Sequence, residues 1–396
     1  MPGMQTSAGI LRSPRRKFLG PMRDRSLYIH IPFCRRKCPY CSFYSISYNE
    51  GLARAYVDSL LRQVEQIEES IVTIYIGGGT PTVLHEDLIG KLLRGLKRFA
   101  GDNIEFTVEA NPESLDKEKL GLFLDRGVNR LSIGTQSFAD EKLQKLGRIH
   151  TAREAEKAID ISRKVGFNNI NIDLIFGVWG ETASDWRAEL KKAARSPVKH
   201  ISCYSLTYEE NTALFATRNK NKIHPLEEEV VAQMYGYTLD YLPRQGFGHY
   251  EVSNFAKKNH RCRHNLNYWD NDPYIGLGAS AVSYLDGTRK ANVPDIKEYI
   301  KKVKAGEDPA ASSEKLPDIE RAKETAAVKI RTKEGIDFGW FSEKTGLDLC
   351  ELEKNTLSEL IDKGLVDYKT EDKHTVGIRL TKKGFLFSDT VSSGLI

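Results

Sequence analysis

No apolar run in this chain of 396 residues approaches the roughly 20 needed to cross a bilayer. No secretory hydrophobic core follows the amino terminus either. Acid is nearly missing from residues 1–26, where Asp24 stands alone against Arg12, Arg15, Arg16, Lys17, Arg23 and Arg25. That bias suits an organelle-targeting segment or an unstructured extension, with Met22 an alternative start. Charge of one sign does not dominate: Lys plus Arg number 59 and Asp plus Glu 54, too even a balance to signal nucleic acid. Cysteine is scarce and unevenly placed. Of six, Cys203, Cys262 and Cys350 are scattered, as befits a reducing compartment such as the cytoplasm. With 40% hydrophobic and 29% charged residues the chain is an ordinary globular protein of two or three domains.

The other three cysteines lie within eight residues, as Cys34-x-x-x-Cys38-x-x-Cys41. An odd trio excludes a simple disulfide, and a thiol redox pair leaves the third without a role. Three thiolates in one loop point to a metal site, with Arg35, Arg36 and Lys37 placed to favour the ligating form. Structural zinc would require a fourth ligand, for which His30 is the nearby choice. A cubane iron–sulfur cluster takes one cysteine per iron, so three leave one iron open.

From Leu27 onward the pattern alternates strand and helix. Strands are expected over Leu27–Ile31, Val72–Ile76, Ile104–Ala110, Leu131–Thr135, Ile170–Phe176 and His200–Leu206. Helices are expected over Leu52–Glu68, Glu86–Phe99, Lys117–Arg126, Ala152–Val165 and Ala183–Ala194. Strands separated by helices pair in parallel through right-handed crossovers. Six such units fall short of the eight that close a barrel, so the reading is an α/β fold with an open, partial (β/α)6 barrel. The strands alternate polar and apolar, although parallel strands are usually apolar on both faces. Tyr28 and His30, Thr107 and Glu109, Asn171 and Asp173, and their counterparts predict a ligand-filled lumen. After the second strand comes Gly77-Gly78-Gly79-Thr80-Pro81, where missing side chains allow close approach of a ligand. The run lacks the lysine of a phosphate loop, which argues against a nucleoside triphosphate.

The cysteine spacing, with the flanks Tyr28-Ile-His-Ile-Pro-Phe and Cys41-Ser-Phe-Tyr-Ser, resembles the radical S-adenosylmethionine (SAM) superfamily. The branch it resembles holds the oxygen-independent coproporphyrinogen III oxidases and the HemW-type haem chaperones. The resemblance implies a [4Fe–4S] cluster on Cys34, Cys38 and Cys41 whose open iron binds SAM. It implies SAM contacts at Gly78, Gly79 and Thr80, at Glu109 in Val-Glu-Ala-Asn-Pro, and at Gln136 in Ser-Ile-Gly-Thr-Gln-Ser-Phe. Arg148 in Leu-Gly-Arg-Ile-His and Asp173 in Asn-Ile-Asp-Leu-Ile-Phe-Gly complete the set, with Tyr28 beside the cluster.

Residues 246–306 hold the string His264-Asn265-Leu266-Asn267-Tyr268-Trp269, near His260 and Cys262. Haem asks for an axial His or Cys, an apolar wall and cations for its propionates. The string resembles the His-Asn-x-x-Tyr-Trp motif of the chaperones, which makes His264 the expected ligand, with a free ring nitrogen. Domains are expected over 1–26 (extension), 27–245 (barrel), 246–306 (haem motif and a glycine-punctuated connector) and 307–396. The last opens on a linker over 307–318 and continues as a small α+β, winged-helix-like unit. Acids at Glu351, Glu353, Glu359 and Asp362 on its helix argue against entry into a DNA groove.

Two functions follow from the resemblance. A haem chaperone would bind haem and pass it to membrane haem proteins, associating with them peripherally. An oxidase would use SAM cleavage to decarboxylate coproporphyrinogen III, and either would draw electrons from a small electron-transfer protein. The oxidases carry a fourth cysteine two positions after the third and a longer segment before the first strand. Here that position is Phe43, which favours the chaperone.

Overall fold

The computed structural model describes residues 24–99, 101 and 103–396. The expectations for residues 1–23, Met22 among them, lie outside these. The barrel strands are β1 (Asp24–Ile31), β2 (Ser70–Gly78), β3 (Glu105–Ala110), β4 (Arg130–Gln136), β5 (Asn169–Phe176) and β6 (His200–Ser205). All five neighbouring pairs are parallel. The helices between them are α1 (Glu50–Glu65), α2 (Glu86–Leu96), α3 (Lys117–Asp125), α4 (Ala152–Val165) and α5 (Ala183–Arg195). Their starts follow from the sequence. Thr151 with Glu154, and Thr182 with Asp185, form capping boxes, while Asn49 and Asp116 cap α1 and α3.

The alternation on each strand sorts side chains between two environments. Leu27, Ile29 and Ile31 of β1 are fully buried under the helical layer, as are Ile74 and Ile76 of β2 and Ile170 and Ile172 of β5. The intervening polar residues turn to the concave side. Burial of these aliphatic side chains stabilises by roughly 1.5–3 kcal/mol each, so a one-residue slip of register would be costly in every strand.

Beyond α6 (Glu228–Arg244), β7 (Gly248–Glu251) and β8 (Asn254–Ala256) add an antiparallel edge beside β6. Next comes the short helix α7 (Arg263–Trp269). The segment expected as a connector contains β9 (Tyr274–Leu277), a seventh parallel strand on the free edge of β1. Its glycines allow close packing on both sides: a Cβ on Gly276 would lie 1.9 Å from the Val282 carbonyl oxygen, and one on Gly278 2.7 Å from the His30 carbonyl oxygen of β1. The sheet then continues antiparallel through β10 (Val282–Leu285), β11 (Thr288–Asn292) and β12 (Ala310–Lys315). Residues 307–318, expected as a linker, therefore supply the outermost strand of a twelve-stranded sheet.

The C-terminal unit combines helices with a three-stranded antiparallel sheet of Ile336–Asp337, His374–Leu380 and Val366–Glu371. Its acidic helix breaks at Glu353 into Leu349–Leu352 and Lys354–Asp362. Glu353 is no surface acid, being 5% exposed and paired with Lys323 at 3.0 Å. This unit docks on the segment around α7 through Lys344–Asp272 (2.6 Å), Lys329–Asp270 (2.5 Å) and the Val252 N–H to Arg331 carbonyl bond (3.1 Å). Among the described residues no helix is long and apolar enough to cross a membrane.

Candidate functional site

The cysteine loop follows β1 directly at the carboxyl ends of the parallel strands, where α/β folds place their ligands. It is pinned by the Cys41 N–H to the Cys38 carbonyl (3.1 Å), the Tyr48 N–H to the Cys34 carbonyl (3.0 Å) and the Lys37 ammonium to the Phe43 carbonyl (3.1 Å). The three thiols are half-buried. Arg35 and Arg36 point to solvent, and burial pushes the Cys34 and Cys41 thiols up. Lys37 opposes that rise at Cys41, and a second cation reaches the trio from outside the loop: Arg148 donates to Cys38 Sγ at 3.4 Å, while the Thr80 hydroxyl faces Cys34 Sγ at 3.6 Å.

His30 cannot complete a zinc site in this arrangement. Its Nε2–H donates to the Tyr44 carbonyl (2.9 Å) and its Nδ1 accepts from the Tyr28 hydroxyl (3.0 Å), which occupies both ring nitrogens. Among the described residues no three His, Cys, Asp or Glu side chains are close enough to share one metal ion. A cubane makes no such demand, because each cysteine serves its own iron. The donor set of three thiols, with no available fourth ligand, fits the cluster.

The glycine run packs against this loop. The Gly79 N–H donates to the Ile31 carbonyl (2.8 Å) and the Thr80 N–H to the Phe33 carbonyl (2.7 Å). A Cβ on Gly79 would approach the Phe33 oxygen to 2.7 Å, and one on Gly77 would meet the Glu109 carboxylate at 2.7 Å. Gly78, at φ 106°, thereby brings its N–H to Glu109 Oε2 (3.1 Å). The Tyr75 hydroxyl donates to Oε1 (2.7 Å). Burial raises the Glu109 carboxyl to about 7, against these two hydrogen bonds and with help from the Asp173 charge.

Asn111, one residue past β3, links two of the nominated groups. It donates to the Thr80 hydroxyl (3.0 Å) and accepts from Arg148 (2.6 Å), which also donates to the Gly134 carbonyl (3.0 Å). Gln136 closes β4 at φ 61°, a left-handed conformation rare for a residue with a side chain, beside a break in register with β5. On β5, Asp173 accepts from Ser132 (3.2 Å) and Asn171 (2.9 Å). Asn171 in turn bonds His200, whose other nitrogen meets the Tyr250 hydroxyl (2.7 Å).

Cys34, Cys38, Thr80, Asn111 and Arg148 thus form one bonded group, and Tyr75, Gly78 and Glu109 a second within the same lumen. The hub role of Asn111 was legible only as a lumen-facing residue in Val-Glu-Ala-Asn-Pro. The pair of His150 and Glu113 (3.3 Å), next to Arg148, gave no sequence signal beyond its place in Leu-Gly-Arg-Ile-His.

His264 departs from expectation. It is 1% exposed, on α7, which plugs the lumen at the opposite end from the cysteines. Its Nδ1–H donates to the Thr73 hydroxyl (2.7 Å), which passes its own proton to Ser26 (2.7 Å). The remaining Nε2 accepts from Tyr268 (3.0 Å), and the ring stacks on Tyr75 at 5.1 Å. Burial and the Arg130 charge hold this imidazole neutral, at about 3. Neither nitrogen is free for iron, and Tyr268 is a hydrogen-bond partner before it is an apolar wall.

The Radical SAM superfamily profile matches residues 28–193, and the HemN C-terminal domain profile residues 316–387. The heme chaperone HemW of Bacillus subtilis (strain 168) is 35% identical over 93% of this chain and 98% of its own. That of Lactococcus lactis (strain IL1403) is 34% identical over 93% and 96%. The chain belongs to the HemW family. A HemW-family barrel shares its fold with the solved coproporphyrinogen III oxidase HemN of Escherichia coli, a radical SAM enzyme, at TM-score 0.81 and 22% identity. That likeness covers 95% of this chain and 91% of HemN.

Proposed function

We propose that this protein is a haem chaperone, binding haem and passing it to haem proteins, and that it carries a [4Fe–4S] cluster and SAM. The observation that carries the reading is the near end-to-end match to relatives named heme chaperones. Phe43 supports it, standing 65% exposed where the oxidases have a further cysteine. Cys34, Cys38 and Cys41 would hold the cluster, whose open iron would supply a binding point for the amino acid end of SAM. Tyr28 lies beside the loop through its bond to His30. Gly78, Gly79 and Thr80 would lie along the SAM amino acid, with Glu109 placed to accept from its amino N–H groups. Gln136, Arg148 and Asp173 offer donors and acceptors suited to the carboxylate and the ribose hydroxyls.

Anaerobically reconstituted protein should take up ferric haem with about one equivalent bound. In parallel it should leave coproporphyrinogen III unconverted in the presence of SAM and a strong reductant. Steady decarboxylation without haem uptake would transfer the protein to the oxidases.

The Glu109 carboxyl gives this reading a pH signature. Its folded value, about 7, lies above the ordinary 4.5, so the stability it contributes is present below about pH 4.5 and is lost as pH rises through 7. The carboxylate that would accept from the amino N–H groups and face the positively charged SAM forms over that same rise. SAM affinity measured by calorimetry should therefore increase toward pH 8, by up to about tenfold per unit below 7. Glu109→Gln should flatten the profile, and an unchanged slope would remove Glu109 from the SAM site.

A further inference from the structure

The helix that carries the haem motif is held down by little apolar packing. α7 closes the lumen with His264 turned inward, yet His264 is the only one of its seven residues that is buried. Leu266, Tyr268 and Trp269 are each partly exposed. Elements held by so few buried apolar contacts open at far lower cost than the fold as a whole. What fixes α7 is polar, and it comes from two directions.

From the barrel, Glu105 at the start of β3 takes three donors at the amino end of the helix. Its carboxylate accepts from the Arg263 N–H (2.9 Å), the His264 N–H (3.0 Å) and the Cys262 thiol (3.4 Å). Arg130 is buried and favoured as a cation by the Glu105 charge, so the carboxylate keeps a counter-charge with α7 away. From the C-terminal unit, Glu334 pairs with Arg261, and Thr325 accepts from the Asn271 amide (3.0 Å). Lys329 and Lys344 pair with Asp270 and Asp272, just past the carboxyl end of α7. The helix is flanked by Asn259 at φ 65° and Asn271 at φ 49°, left-handed turns placed where a hinge would absorb rotation.

Resting on the chaperone reading above, we propose that α7 is a gate. Glu105 latches its amino end, Lys329 and Lys344 of the C-terminal unit clasp its carboxyl end, and haem reaches His264 only when the helix swings out. With α7 seated, both imidazole nitrogens are taken, by Thr73 and by Tyr268. Tyr268 stands one turn along the same helix and travels with the ring, so the bond that opening breaks is the one to Thr73. The nitrogen it releases is then open to iron, with the ring proton on Nε2 against the Tyr268 hydroxyl. Glu105, Lys329 and Lys344 are thus positioning residues. A gate of this kind lowers apparent haem affinity by the fraction of molecules that are open, so weakening a tie raises it.

The test uses the full-length, cluster-loaded chain and ferric haem. Lys329→Met/Lys344→Met removes two charges and leaves apolar chains on the Trp340 ring that both ammoniums overlie, at 4.8 and 5.4 Å. Haem uptake should become faster and tighter by roughly two- to tenfold. Amide exchange over residues 262–272 of the haem-free protein should accelerate by a similar factor. Asp270→Asn/Asp272→Asn breaks the same ties from the other side and should give the same gain. Glu105→Gln should give a larger one, about tenfold or more. Adding His264→Ala should abolish the gain. A purely structural role for these residues predicts the reverse, a loss of haem binding along with stability. Uptake unchanged or weakened in both charge-removal pairs overturns the gate, as does a gain that survives His264→Ala. Wild type and variants that take up no haem at all would overturn the chaperone reading itself.

Discussion

Replacing Cys34, Cys38 and Cys41 together with alanine is expected to remove iron and acid-labile sulfide completely, and with them the brown colour of anaerobically purified protein. Each cysteine serves a separate iron in a cubane, so single variants should also lose most of the cluster. The fold should survive, because the loop's backbone is held by its own bonds, including Gly79 and Thr80 to the Ile31 and Phe33 carbonyls. Far-UV circular dichroism should accordingly stay close to wild type. The SAM interaction should fall to background, since Glu109 and Arg148 alone would not replace a bond to iron. Colourless wild-type protein with stoichiometric zinc would defeat the assignment.

The second large effect concerns stability. Lys142, on the short helix after β4, places its ammonium between Glu181 (2.5 Å) and Glu189 (2.7 Å), and the three side chains are no more than 8% exposed. Glu189 also accepts from the Phe138 N–H (2.9 Å) and the Ser137 hydroxyl, and Glu181 from the Val178 N–H (3.0 Å). One cation therefore ties the segment leaving β4, just past Gln136, to the loop leaving β5 after Phe176 and to α5. Lys142→Met should strand two buried carboxylates and cost about 3–5 kcal/mol. A urea midpoint should fall accordingly. Adding Glu181→Gln and Glu189→Gln should recover much of the loss, because the uncompensated charge goes with them. A single variant within about 1 kcal/mol of wild type would show that the triad is solvated and unimportant.

The barrel strands and the cysteine loop were legible because their signals are local. Period-two alternation from Tyr28 to Tyr204 marks each strand within its own six to nine residues, and three cysteines in eight residues need no partner to be noticed. What was missed depends on distant chain. Tyr274–Leu277 is four residues with a glycine inside, and it becomes a strand only because β1 offers it an edge. Ala310–Lys315 reads Ala-Ala-Ser-Ser-Glu-Lys, too polar to predict, and pairs on one side alone. His264 reads as an available ligand until Thr73, 191 residues earlier, is seen to hold it. Of the loop's basic residues, Lys37 does act on Cys41, but the cation bonded to a thiol is Arg148, 110 residues after Cys38 and invisible to a local reading.

The seventh parallel strand bears on how the chain is made. β1 lies in the interior of the finished sheet, yet its two neighbours are synthesised at very different times. Ser70–Gly78 leaves the ribosome soon after it, whereas Tyr274–Leu277 follows about 240 residues later. At about 5–20 residues per second that interval is on the order of 10–50 s. Throughout it, Leu27–Ile31 presents an unpaired apolar edge, the kind of surface that recruits other strands. A nascent chain stalled before residue 274 should therefore associate with chaperone holdases or aggregate, and one stalled after the sheet is complete should resist protease.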